Sequence, residues 1–163
     1  MDAYTAVRTK RDTRAYHTQA LSDVSVARIL QAGRMTGSSK NTQPWGFVVI
    51  RHQAQKEALS RCGDFATHLP SAPLLVAVVL TPEGGPFDAG RCAQNMMIAA
   101  WAEGITSCPT VMHDAECAAR TLGLPEGHRV AVVLPFGYPD TSAPQRQPRP
   151  RRPLEELVHS ERW

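Results

Sequence analysis

The chain has 163 residues, enough for one domain with a real core and short for two. An apolar share of 42% and a charged share of 20% exclude overall disorder. A net charge of +3 is too small to imply a nucleic-acid partner by itself, and without about 18 consecutive apolar residues no transmembrane helix is expected.

In chain order, residues 2–10 predict a short helix. Ser22 then caps a stronger one, in which Val26, Ile29 and Leu30 recur at helical spacing to about Met35. Gly37 to Asn41 is a polar loop. Trp45–Arg51 follows as a strand, and Gln53–Arg61 as an exposed amphipathic helix. Leu74–Leu80 is apolar on both faces, which predicts a central strand. Asp88–Glu103 carries a wide apolar face, so that helix packs on several sides and ends at Gly104. Asp114 caps a short helix to Leu122, and Arg129–Tyr138 is a third strong strand. Residues 139–153 are rich in Pro and Arg and should not fold on themselves, yet they lead into Pro153-Leu154-Glu155-Glu156-Leu157-Val158, an amphipathic segment that needs a surface. The pattern is one domain, residues 1–163, with strands separated by helices around one sheet and residues 139–163 as an extended arm. The first residues have no signal-peptide core. The cysteines, Cys62, Cys92, Cys108 and Cys117, have no CxxC spacing. A reduced, cytoplasmic setting is therefore expected, with neither a zinc site nor a disulfide framework.

The chain contains no GxGxxG after a strand, no phosphate-binding GxxxxGK[ST], no GxSxG and no HExxH. Four segments remain that can carry chemistry. Lys10-Arg11-Asp12-Thr13-Arg14 sets three cations within five residues. Arginine forks match phosphate oxygens, and Asp12 offsets part of the repulsion. Ser38-Ser39-Lys40-Asn41-Thr42-Gln43 is dense in groups able to hold the edge of a heterocycle. The segment from Gly104 to Val111 can aim a backbone N–H at a ligand. Arg146, Arg149, Arg151 and Arg152 form a second basic cluster. Taken singly, the first reads sooner as a solvated turn and the second as a connecting loop, the third says nothing, and the fourth also reads as a soluble tail.

Their order along the chain resembles the nitroreductase superfamily. Lys10-Arg11-Asp12-Thr13-Arg14-Ala15-Tyr16 resembles its R-R-[SD]-x-R-x-[FY] opening, and Ser38 to Trp45 its S-x-x-N-x-Q-P-W signature. The Asp88–Gly104 helix, Leu122-Gly123-Leu124-Pro125, Phe136-Gly137-Tyr138-Pro139 and Arg151-Arg152-Pro153-Leu154-Glu155-Glu156-Leu157-Val158 resemble its later landmarks. The resemblance implies an α+β fold: a central, mostly antiparallel sheet flanked by helices, with the C-terminal arm reaching the partner of a homodimer. It implies FMN at the subunit interface. Lys10, Arg11, Asp12 and Arg14 would serve the phosphate, ribityl chain and ring edge. Ser38, Ser39 and Asn41 of the signature loop would reach FMN from the partner, and Gln43 of the same loop would also bind the cofactor. Thr110 and Val111 would lie near flavin N5, and Arg149 and Arg151 would close on the phosphate.

The implied activity is ping-pong hydride transfer from NADH or NADPH to small acceptors: nitroaromatics, quinones or enones. Such hydride chemistry needs no side chain as nucleophile or general acid, and His113 reads as a bystander. The chain lacks the extra helices that larger members carry between the Leu74–Leu80 strand and the next helix, which predicts an open pocket. A flavin-holding or regulatory protein without efficient turnover is the alternative. Nucleic acid is not expected, because no aromatic residues interleave with the arginines of the arm.

Overall fold

In the computed structural model, residues 1–144 and 149–163 are described. Among these residues five α-helices surround one antiparallel sheet. The order is α1 (Ala3–Thr9), α2 (Asp23–Arg34), β1 (Trp45–Ile50), α3 (Gln53–Ser60), β2 (Leu74–Leu80), α4 (Pro86–Ala102), β3 (Thr106–Ser107), α5 (Ala115–Leu122) and β4 (Arg129–Gly137). The strands lie in the order β1-β2-β4-β3, every neighbour pair antiparallel. The expected α+β architecture is therefore present.

β2 explains the layering. All seven of its residues are buried, as a strand covered on both faces requires. Alternation then divides them. Leu74, Val76, Val78 and Leu80 join Ile29 of α2 and Cys92, Met96 and Ala100 of α4 in one core layer. Leu75, Ala77 and Val79 join Leu59, Leu69, Ala118 and Val133 in the layer on the opposite face, under α3 and α5. Each fully buried Leu or Val contributes roughly 1.5–3 kcal/mol against exposure.

The helix ends follow the sequence signals. Ser22 Oγ accepts from the Ser25 amide at 3.0 Å, and Asp114 Oδ1 accepts from the Cys117 amide at 2.8 Å. α5 closes on Gly123 in the left-handed region, φ 63°, where a Cβ would be strained. α4 starts at Pro86, two residues before the expected Asp88, because proline fits the first helical turn, where no intrahelical N–H bond is lost.

Three expectations need correction. α3 is not simply an exposed helix: Leu59 is fully buried, and Lys56 is buried with its ammonium donating to Ala72 O at 2.7 Å. Desolvation pushes the Lys56 ammonium below its ordinary pKa. The segment after α4 contains a two-residue strand, β3, that the sequence does not signal. Most consequential, Cys62 and Cys117 are disulfide-bonded, with Cα atoms 5.5 Å apart, so the absence of a spacing motif did not mean the absence of a bridge. Cys92 and Cys108 are buried free thiols. No helix among the described residues is long and apolar enough to cross a membrane.

Candidate functional site

The basic turn Lys10–Arg14 leaves the C-terminus of α1 and lies against β3 and α4. Trp101 Nε1 of α4 donates to Thr9 Oγ1 at 2.9 Å, fixing the end of α1. The Lys10 ammonium pairs with Asp12 and sits 3.4 Å from Met97 Sδ, which holds its side chain only 12% exposed. Arg11 folds back on α1, donating to Arg8 O at 3.1 Å and Lys10 O at 2.8 Å. These are C-terminal helix carbonyls, natural partners for a cation. Asp12 bridges to Ser107 of β3, and the Thr13 amide donates to Ser107 O at 3.1 Å. Three cations less one carboxylate leave this turn at +2.

Beside it, Ser107 is 1% exposed and its hydroxyl has no hydrogen-bond partner among the described residues. Such an orphan is rare and asks for a ligand or solvent. The chain continues through Cys108 and Pro109 to Thr110, whose amide and carbonyl both pair with Val133 at 2.9 and 2.8 Å. The Thr110 N–H is therefore spent inside the sheet. The next residue, Val111, is 58% exposed, and its amide makes no hydrogen bond among the described residues.

The structure adds a residue that the sequence does not signal. His68 Nε2 lies 3.1 Å from Thr110 Oγ1, and the Thr110 hydroxyl also donates to Cys108 O at 3.2 Å. Burial, and then the Arg14 guanidinium, hold the His68 imidazole below its ordinary pKa. Arg14 also acts on Tyr16 and Cys108. Burial raises both of these groups, and the Tyr16 hydroxyl donates to Thr13 O. Arg14, His68, Thr110, Tyr16 and Cys108 thus share one locality. His113 stands apart from it, accepting from the Asp64 amide at 3.1 Å.

The Ser38–Gln43 loop forms a second, separate group. Ser38 Oγ accepts from the Gln43 amide at 2.8 Å, and Arg91 of α4 donates to Gly37 O at 2.8 Å. Ser39 and Asn41 are exposed. Lys40, Asn41 and Gln43 have φ of 50°, 54° and 49°. Three left-handed non-glycine residues in four positions cost on the order of 1 kcal/mol each. No hydrogen bond or ion pair among the described residues joins this loop to the basic turn. Arg149, Arg151 and Arg152 are exposed and make no such contact either, while Arg146 lies outside the described residues.

An apolar groove of about 530 Å³ runs between α4 and β4, lined by Ala89, Ala93, Met97, Pro109, Val130 and Val132 among others. It meets the basic turn at Met97. Beside it, Arg129, Val130 and Val132 of β4 pair with β2 around a bulge at Ala131, but the other edge of residues 129–132 has no strand partner among the described residues.

An antiparallel sheet between two helical layers, a basic turn and a strained Asn-containing loop before the first strand together define a class, and comparison with known proteins agrees. The nitroreductase family model matches residues 7–81 and 81–138. The chain belongs to the nitroreductase family, a family of oxidoreductases. A protein of Archaeoglobus fulgidus assigned as an NADH dehydrogenase/NAD(P)H nitroreductase is 27% identical over 95% of each chain. A Bacteroides thetaiotaomicron structure with the same assignment superposes with a TM-score of 0.89 at 24% identity, covering 99% of this chain and 98% of that one. A Desulfovibrio desulfuricans protein assigned as a nitroreductase and solved in complex with FMN gives a TM-score of 0.86 at 26% identity, covering 100% and 98%.

Proposed function

We propose that the chain is an FMN-dependent NAD(P)H oxidoreductase, acting as a homodimer on small organic acceptors such as quinones, nitroaromatics or enones. The observation that carries this reading is the net +2 turn Lys10–Arg14, docked beside the orphaned Ser107 hydroxyl, with the Val111 amide, unpartnered among the described residues, four residues further along the chain. A ligand with a phosphate of about two negative charges at one end and a polar-edged ring at the other fits that donor set. The FMN bound to the Desulfovibrio relative supports the choice.

In this proposal Lys10 and Arg11 hold the phosphate, with Arg149 and Arg151 closing over it, and Asp12 keeps Lys10 in place. Arg14 meets the ring edge, and the Val111 amide donates to the ring where negative charge develops. Ser38, Ser39, Asn41 and Gln43 come from the partner, in agreement with their separation from the basic turn inside one protomer. The C-terminal segment would cross to the partner. Leu154, Leu157 and Val158 are 71%, 46% and 61% exposed, and the unpaired β4 edge with its apolar groove offers a surface for them. When bound, the flavin would supply two-electron hydride chemistry between a nicotinamide and the acceptor. The protein binds, orients and supplies backbone donors. Donor and acceptor would take turns in one open pocket, which is the structural basis expected for ping-pong kinetics.

The test is the visible spectrum of purified protein, loaded with FMN and stripped of excess by gel filtration. Flavin bands eluting at dimer size, followed by acceptor-dependent NADH or NADPH oxidation, are expected. A protein that takes up no flavin overturns the reading. Flavin without nicotinamide oxidation leaves a flavin-holding role in its place.

A further inference from the structure

We infer that Cys62–Cys117 is a site of thiol–disulfide exchange whose redox state sets the order of residues 111–114. The inference uses the proposed function only in taking this segment to border the flavin. The bridge joins two chain stretches 55 residues apart. It stands at the centre of a group of short contacts. The Asp114 amide donates to Cys62 O at 3.0 Å, and the Asp64 amide donates to His113 Nδ1 at 3.1 Å. Asp114 in turn caps α5 through the Cys117 amide. Between these anchors a Cβ placed on Gly63 would stand 3.1 Å from Val111 O and 3.2 Å from Met112 Cε. Residues 62–64 therefore form the wall against which 111–114 rest, and the disulfide fastens that wall to α5.

The geometry also suits both redox states. Cys62 is 1% exposed and Cys117 is partly exposed, which directs attack to the Cys117 sulfur. A small dithiol delivers a thiolate to Cys117 Sγ, and the Sγ–Sγ bond breaks. Cys62 leaves as thiolate and takes a proton. The second thiol of the reductant displaces Cys117 as a thiol, and the reductant departs as a cyclic disulfide. Two electrons and two protons pass to the protein. A low-molecular-weight disulfide reverses the exchange and leaves as two thiols. The buried Cys62 thiol then has acceptors within sulfur hydrogen-bond reach, Ala58 O and Thr121 Oγ1, each at 3.7 Å. Reduction thus leaves no unpartnered thiol at the buried Cys62, and the fold does not need the bridge to satisfy that atom. Freed of the bridge, the segment before α5 loses its covalent tie to the 62–64 wall and keeps the Asp114–Cys62 and Asp64–His113 hydrogen bonds, while α5 stays packed on the core through Ala118.

The experiment uses the whole protein without FMN. Alkylation after denaturation counts free thiols in protein held in oxidised glutathione and in protein treated while folded with dithiothreitol. Two are expected in the first case and four in the second. Amide hydrogen exchange at Asp114, whose N–H is held by Cys62 O, is then expected to quicken at least tenfold on reduction. A Cys62→Ser/Cys117→Ser variant should exchange at the fast rate under both conditions. Equal exchange in the two redox states of the native protein overturns the inference, as does a bridge that yields only on unfolding or never forms in the glutathione buffer. None of these readouts requires flavin, so failure of FMN uptake would refute the proposed function and leave this test standing. A change in FMN affinity that follows the exchange rate would tie the two together.

Discussion

If Lys10 is the phosphate cation and Asp12 only steadies it, losing Lys10 must weaken flavin binding far more than losing Asp12. Lys10→Met lowers the turn from +2 to +1 and leaves the Asp12 carboxylate, 47% exposed, facing the phosphate. Two unit charges about 4 Å apart interact by roughly 4 kcal/mol at an effective dielectric of about 20, which bounds the effect from above. A charge-assisted hydrogen bond nets about 1.5–3 kcal/mol, so FMN should bind about 10–150-fold more weakly. Asp12→Asn should strengthen binding or leave it unchanged, since it removes the only repulsive charge in the turn. The double variant returns the turn to +2 and should recover about half of the lost free energy, a coupling expected of neighbouring charges. Quenching of FMN fluorescence on titration measures all four dissociation constants. The single-variant losses should shrink at high salt as screening sets in. An unchanged constant for Lys10→Met, with a large loss for Asp12→Asn, would refute the reasoning. Asp12 would then be the ligand and Lys10 a packing residue on Met97.

Three further outcomes are expected. Replacing both Cys62 and Cys117 by serine opens a loop of 55 residues' separation. The chain-entropy estimate for that length is about 4 kcal/mol. At fixed protein concentration and without reductant the melting temperature should fall by roughly 8–16 °C, and a fall under about 2 °C would reject the estimate. His68 titrates below its ordinary 6.5 because of burial and Arg14, so the unfolded chain takes up its proton first as pH drops. Stability is therefore unaffected by His68 above pH 6.5, declines as pH falls from there toward the lower folded value, and levels off beneath it. His68→Gln should lose that part of the decline in urea midpoints, and parallel curves for the two proteins would exclude it. A Cβ on Gly84 would lie 2.6 Å from Pro44 O and 2.8 Å from Leu80 Cδ2. Gly84→Ala should cost about 1–3 kcal/mol by denaturant unfolding. A cost below about 0.5 kcal/mol would mean that the 81–85 turn is free to move away from the signature loop.

The parts of the fold that depend on local chemistry were legible along the chain. β2 announced itself as central because its apolar run has no polar alternate, and the sheet does place it between β1 and β4. Ser22, Asp114 and Gly123 marked helix ends because a cap needs only its own turn. The motif residues were legible for a similar reason. Lys10–Arg14 and Ser38–Gln43 are contiguous, so a reader of sequence sees each group whole. The left-handed backbone of Lys40 and Gln43 was not legible, since neither residue type asks for it. Only Asn41 tolerates that region at small cost.

What escaped the sequence depends on which elements share a face of the sheet. α3 and α5 both cover the face that carries Leu75, Ala77 and Val79, and only that packing brings Cys62 to Cys117. Spacing rules recognise cysteines that are close in sequence or regularly repeated, and a pair 55 residues apart in a four-cysteine chain is neither. His68 escaped for the same reason. It stands in a turn before β2, and its partner Thr110 reaches it only because Thr110 bridges to Val133, on the strand beside β2. Ser107 reads as an ordinary residue after a helix until β3 buries it against the basic turn. The antiparallel sheet is thus what turns three dispersed segments, 10–14, 68 and 107–111, into one locality. A change that shifts β4 by one residue against β2 would carry the Val133 carbonyl away from the Thr110 amide and dissolve that locality, while leaving every motif residue in place.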